Sequence, residues 1–100
     1  MRPRRLDLSS RAQRDLLRRG HYLAEVRGEG FAERSVSELL GWLRNLAETG
    51  AQVGTATDHD PRVRTFGYAG QATIVARFEV NTLRVLGVYF KGQDWRRHPR

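Results

Sequence analysis

Arg62-Val63-Arg64-Thr65-Phe66-Gly67-Tyr68, Thr73-Ile74-Val75-Ala76-Arg77-Phe78-Glu79 and Leu83-Arg84-Val85-Leu86-Gly87-Val88-Tyr89-Phe90 follow one another closely, parted by Ala69-Gly70-Gln71 and Val80-Asn81-Thr82. In the middle run Ile74, Ala76 and Phe78 alternate with Thr73, Arg77 and Glu79. That period of two predicts a strand with one apolar face. The intervening residues are turn formers, and Asn81 is expected to take a positive φ. The stretch therefore reads as three antiparallel strands. The last of them is apolar in both registers: Leu83, Val85 and Tyr89 in one, Leu86, Val88 and Phe90 in the other. A strand apolar on both faces needs cover on both. The chain's own helices supply one cover, and the second falls to the tail or to a partner.

Upstream, Leu6 and Leu8 share a face of a short opening strand over Arg4–Leu8, with Pro3 suited to its start. Ser9 or Ser10 offers a helix N-cap. From Arg11 to Val26, the residues Ala12, Leu16, Leu23 and Val26 recur at helical spacing, and Leu17 and Tyr22 widen the stripe. Arg14, Arg18, Arg19 and Arg27 fall mostly outside it. Gly20 is a weak point, costing about 1 kcal/mol against Ala inside a helix. Gly28-Glu29-Gly30 breaks this helix, and a second runs from about Phe31 to Thr49 with the stripe Ala32, Val36, Leu39, Leu40, Leu43, Leu46 and Ala47. Gly50 follows as a C-terminal stop. The expected organisation is a single domain over 1–100: a helical hairpin at 9–50, a loop at 51–61, the sheet at 62–91 and a basic tail at 92–100. The fold class is α+β, in the order β-α-α-β-β-β, with the hairpin packed on a small, mostly antiparallel sheet.

Composition narrows the function. The net charge is +7, and of 18 basic residues only Lys91 is lysine. Such a balance points to an anionic partner, nucleic acid or an acidic protein, against the plainer reading of a solvated surface. Without cysteine there is no disulfide and no thiolate metal site. No apolar run reaches the length of a membrane span, and no signal-peptide core follows Met1-Arg2-Pro3-Arg4-Arg5, so a cytoplasmic protein is expected. His21, His59 and His98 lie on three separate elements without ligand spacing, and neither a metal nor a cofactor is expected.

No phosphate loop, zinc-protease or nucleophile-elbow motif is present. Arg62 and Arg64 share a strand face, with Arg77 and Arg84 on the strands after them. Arginines gathered on one sheet face grip phosphates, whereas the same residues scattered outward are merely solvated, with Glu79 and Asp94 as neighbours. Metal-free RNA cleavage needs a base, an acid and cations at the scissile phosphate. Tyr89, Lys91 and the arginines are candidates for that role, with His98 or Glu79 to carry a proton. Trp42, on the second helix, is either a core-edge residue or an anchor for a partner. Trp95 in the tail is expected to fold back onto the sheet.

In order and spacing the chain resembles the RelE/ParE superfamily of type II toxin–antitoxin toxins over essentially its whole length. The residues that carry the likeness are Leu6-Asp7-Leu8-Ser9-Ser10-Arg11-Ala12, the core Leu39-Leu40-x-x-Leu43, Gly54 leading to Arg62-Val63-Arg64, Thr73 to Phe78, and Leu83 to Val88 followed by Gln93-Asp94-Trp95. The resemblance implies a toxin neutralised by a cognate antitoxin, a small acidic protein of ribbon-helix-helix type. ParE-like members poison DNA gyrase and are not enzymes; RelE-like members cleave mRNA on the ribosome. Where many relatives carry His-Gly-x-Arg-Asp, this chain has Phe90-Lys91-Gly92-Gln93-Asp94, which weakens the nuclease reading. The expectation is thus a ParE-like gyrase inhibitor, meeting its target through Arg62, Arg64, Lys91, Trp95, Arg96 and Arg97, and its antitoxin through Leu39, Trp42, Leu86, Val88, Phe90 and the outer face of the helical hairpin. No catalytic residue is assigned on that reading. The alternatives are a RelE-like endoribonuclease using Arg62, Arg64, Tyr89 and Lys91, and a non-toxic basic module for nucleic acid.

Overall fold

The computed structural model describes residues 4–49, 60 and 62–91, and the backbone alone at 55–56. The elements are β1 (Arg5–Leu8), α1 (Ser10–Arg27), α2 (Glu29–Thr49), β2 (Thr55–Ala56), β3 (Val63–Tyr68), β4 (Ala72–Phe78) and β5 (Thr82–Phe90). They form one five-stranded sheet in the order β1-β5-β4-β3-β2. β1 runs parallel to β5, and the other pairings are antiparallel. The expected α+β order holds. The one added element is the two-residue β2, inside the segment read as loop, which pairs with Arg64 and Thr65.

The helix ends follow from local chemistry. Ser9 is extended, and its Oγ accepts the Ala12 N–H at 3.0 Å while donating to the Leu86 carbonyl at 3.0 Å. One hydroxyl therefore caps α1 and ties its first turn to β5. The break between the helices is shorter than the three residues expected. Gly28 alone, at φ +91, ends α1, and its carbonyl already accepts the Ala32 N–H of α2. A conformation disfavoured for L side chains is needed at one position only, and Glu29 suits the positive N-terminal end of the next helix. α1 continues unbroken through Gly20, which faces Val36 of α2.

In the first strand connection Ala69 and Gly70 both take positive φ, the geometry of a tight hairpin turn. The second connection departs from expectation. Among the described residues Ala69 is the only non-glycine at positive φ, so Asn81 does not adopt it. There Glu79 donates to Thr82 across the turn, and Arg4 Nε donates to the Glu79 carbonyl.

The two apolar registers of β5 have a geometric origin. Val75 pairs with Gly87 but Ala76 pairs with Val85, so Leu86 is an extra residue, a β-bulge. The bulge switches the alternation. Leu83 and Val85 before it, and Val88 after it, belong to the same core, with Phe90 packed against it. That core lies between sheet and helices and includes Leu16, Leu39, Leu43, Phe66, Ile74 and Phe78. α1 contributes Ala12, Leu16 and Leu23, whereas Val26 stays exposed, contrary to its place in the apolar stripe.

On the other face sits a small cluster of Val63, Val75 and Tyr89 with Leu86 against it. Val75 and Tyr89 are 0% and 2% exposed within the single chain. At these residues the second sheet face is sealed within the chain, so of the two covers expected there a partner is not required. Tyr89 lies across Gly87, where an added Cβ would come within 2.9 Å of the ring. The Arg11 guanidinium stands 5.2 Å from the ring centroid.

β1 pairs with β5 only as far as Val85, and beyond that point α1 takes over the strand edge. There the Asp15 carboxylate, 8% exposed, accepts the Val88 N–H at 3.0 Å and lies 3.6 Å from Arg11. Removing it strands a buried donor, at a cost of about 1–3 kcal/mol. Asp15→Ala is expected to show that loss in urea unfolding, and Asp15→Asn, which keeps an acceptor oxygen, a smaller one. Equal losses would show that the bond to Val88 is not the cause.

Candidate functional site

The arginines of the sheet do not gather on one face. Arg64 shares the register of Phe66 and Tyr68, which pack on the helix-side core, while Val63 belongs to the cluster on the other side. Arg77 and Arg84 are direct cross-strand partners in the opposite register. Like charges so placed repel, and carboxylates separate them: Arg77 Nε lies 2.9 Å from Glu79, and Arg84 Nη1 lies 2.9 Å from Asp7. This pair belongs to an ion network of the sheet surface, the solvated reading of those residues.

Arg62 stands just before β3 and is exposed. It is clamped by Asp60, which accepts its backbone N–H at 2.9 Å, its Nε at 3.3 Å and its Nη2 at 3.2 Å. The side-chain and backbone hydrogen bonds from Arg62 hold the Asp60 carboxyl below the ordinary carboxylate range, and the same side-chain bond raises Arg62. A depressed folded pKa means the interaction is present above the unfolded pKa and is lost as pH falls through the folded one. The raised Arg62 pKa adds a loss only at extreme alkaline pH. Following the Asp60 carboxyl by NMR should give a midpoint below that of an ordinary aspartate, and Arg62→Ala should move it back up. An unchanged midpoint in the variant would disprove the clamp.

The residues of the nuclease alternative are dispersed by this arrangement. Arg62 is engaged with Asp60, Arg64 lies in the helix-side register, and Tyr89 is buried on the opposite face. Lys91 is exposed at the end of β5, where its N–H donates to Gln71 at 2.8 Å. Trp95, Arg96 and Arg97 lie outside the described residues, as do His59 and His98.

The residues expected to meet an antitoxin divide in a similar way. Leu39 and Val88 are 3% and 1% exposed, part of the core, so their side chains present nothing to a partner. Periodicity placed both correctly on apolar stripes, but a stripe's centre is the part the chain itself buries. Trp42 is half-buried and meets Tyr68 edge-on, ring centroids 5.3 Å apart. Leu86 and Phe90 also keep some exposed surface.

An open, mostly apolar groove lies on the outer face of the hairpin, the face expected to meet an antitoxin. α1 and α2 leave a groove of about 710 Å³ between them, lined by Leu16, Leu17 and Ala24 from α1 and by Val36 and Leu40 from α2, with Leu8 at one end. Leu17 is 62% exposed there. Its sequence signal was the width of the α1 stripe: Leu17 widens it beyond what one sheet contact covers. Glu29 and Glu33 of α2 also belong to its lining.

No family model matches the chain, and no curated protein matches it. Solved structures do. A structure of the chromosomal ParDE TA system from P. aeruginosa superposes with a TM-score of 0.73 at 17% identity, covering 87% of this chain and 95% of that one. A structure of the toxin–antitoxin complex RelBE2 from Mycobacterium tuberculosis superposes with a TM-score of 0.65 at 18% identity, covering 93% and 97%. The chain has the RelE/ParE fold. In this RelE/ParE fold the helical hairpin covers one sheet face and turns its own groove outward. No described helix is long and apolar enough to cross a membrane.

Proposed function

We propose that this protein is the toxin of a type II toxin–antitoxin pair, ParE-like in action, binding DNA gyrase and neutralised by a cognate antitoxin. The observation that carries the reading is the open interhelical groove on a fold shared with two toxin–antitoxin structures. An apolar groove between helices is a seat for the apolar face of an amphipathic helix. The antitoxin thus takes the helical hairpin as its main seat, with Trp42 and Phe90 as further contacts, rather than the sheet face.

The dispersal of Arg62, Arg64 and Tyr89 supports the non-enzymatic branch. A phosphodiester cannot reach a buried Tyr89 and a helix-side Arg64 together, and Arg62 already answers to Asp60. Gyrase binding demands a surface and no proton relay. Expression of the chain without its antitoxin should arrest growth and induce the DNA-damage response, and the purified protein should block supercoiling by gyrase. Active gyrase beside ribosome-dependent mRNA cuts that Arg64→Ala abolishes would overturn the branch. Unimpaired growth when the chain is expressed without an antitoxin would overturn the toxin reading itself.

A further inference from the structure

A second cleft lies where α1 meets the end of β5. It measures about 280 Å³ and is lined by Asp15, Arg18, Arg19, Tyr22, Phe90 and Lys91 together with Val88. The helical members stand at i, i+3, i+4 and i+7, one face of α1 turned toward the strand end. Their partners on β5 lie about seventy residues away in sequence, so no motif search joins the two halves.

The chemistry of this cleft is unlike that of the interhelical groove. Three cations converge on it, and among the described residues none of Arg18, Arg19 and Lys91 forms an ion pair with a carboxylate. Its one acid, Asp15, is occupied by the Val88 N–H and by Arg11. Arg19 is held in place by two rings, with its guanidinium carbon 4.6 Å from the Phe90 centroid and 5.2 Å from that of Tyr22. Stacking fixes the plane of a guanidinium and leaves its N–H edge for an oxyanion. Tyr22 is 53% exposed and offers the rest of its surface to a planar group.

From this arrangement we infer that the α1–β5 cleft binds a nucleotide, with its phosphate among Arg18, Arg19 and Lys91 and its base against Tyr22. Convergent cations beside an exposed aromatic are the recognition elements of nucleotides in single strands and of free nucleotides alike. A carboxylate peptide would satisfy the cations but leave the Tyr22 ring unused. The cleft volume suits one nucleotide unit and not a folded segment. The cleft shares no lining residue with the interhelical groove, and its function stands whether or not the protein poisons gyrase.

The test uses the whole chain, with calorimetry and amide-shift mapping against uridine monophosphate, a short oligouridylate, inorganic phosphate and a glutamate-rich peptide. Both uridine ligands should bind, shifting the amides of Arg18, Tyr22, Phe90 and Lys91 in the unmodified protein. Arg18→Glu should weaken both by about tenfold or more through loss of a charged contact and gain of a repulsive one. Tyr22→Ala should weaken both by about tenfold through lost stacking. Arg44→Glu, which removes an exposed charge on α2 outside the cleft, should change them by less than about twofold. An oligouridylate bound about a hundredfold more tightly than the mononucleotide, with the same dependence on Arg18 and Tyr22, assigns a strand as the natural source. Comparable affinities assign a free nucleotide. The inference is overturned if neither uridine ligand binds, if Arg44→Glu weakens them as much as Arg18→Glu, if phosphate alone binds as tightly as the mononucleotide, or if the acidic peptide outcompetes both.

Discussion

Leu43→Ala is expected to destabilise the protein by about 2–5 kcal/mol, since truncating a buried leucine forfeits its transfer energy and leaves a cavity. Leu43 is fully buried in the middle of α2 and belongs to the cluster joining the helices to Phe66, Ile74 and Val85. The helices and the four long strands share that core, so the loss should appear as one cooperative shift of the urea midpoint with little change of slope. Domains of this size are stable by only about 5–15 kcal/mol, so a large fraction of the molecules could unfold near body temperature. Val26→Ala is the matched control. Val26 is exposed at the end of α1, and its loss should stay within about 0.5 kcal/mol. If both variants lose the same stability, the packing of α2 against the sheet is not what holds the fold.

The second large effect concerns binding. Leu17→Glu should leave stability within about 0.5 kcal/mol, because the side chain is mostly in solvent. It should nevertheless weaken the antitoxin complex by about 2 kcal/mol or more, roughly thirtyfold, by placing a charge in the centre of an apolar seat. In cells that difference reads as toxicity no longer suppressed by the antitoxin. The same substitution on the toxin alone should leave growth arrest intact. Neutralisation that survives Leu17→Glu and a second substitution, Leu40→Glu, would remove the groove as the antitoxin's seat.

The two candidate surfaces differ in chemistry. The interhelical groove is mostly apolar, with Glu29 and Glu33 in its lining, whereas the α1–β5 cleft is cationic and aromatic.

Much of this was readable from the chain alone, for a specific reason. Helical spacing in Leu39, Leu43 and Leu46, and alternation in Ile74, Ala76 and Phe78, are local properties of the backbone period. So are the capping by Ser9 and the break at Gly28. They set the order of elements and the contents of the core, and the fold class followed from them. What the chain alone did not determine was which way certain side chains face and which distant segments meet. The extra residue at Leu86 reverses the alternation of β5, so the same apolar letters that implied two covered faces fill mainly one. The parity of Arg64 against Arg77 and Arg84 depends on strand register and on that face assignment, which no period within one strand reveals. The cleft joins Arg18, Arg19 and Tyr22 to Phe90 and Lys91 only because β5 lies beneath α1. Sequence periodicity reports the angle of a side chain about its own element. Where that element is laid against another is settled by packing, and in this protein both candidate binding surfaces are products of the packing.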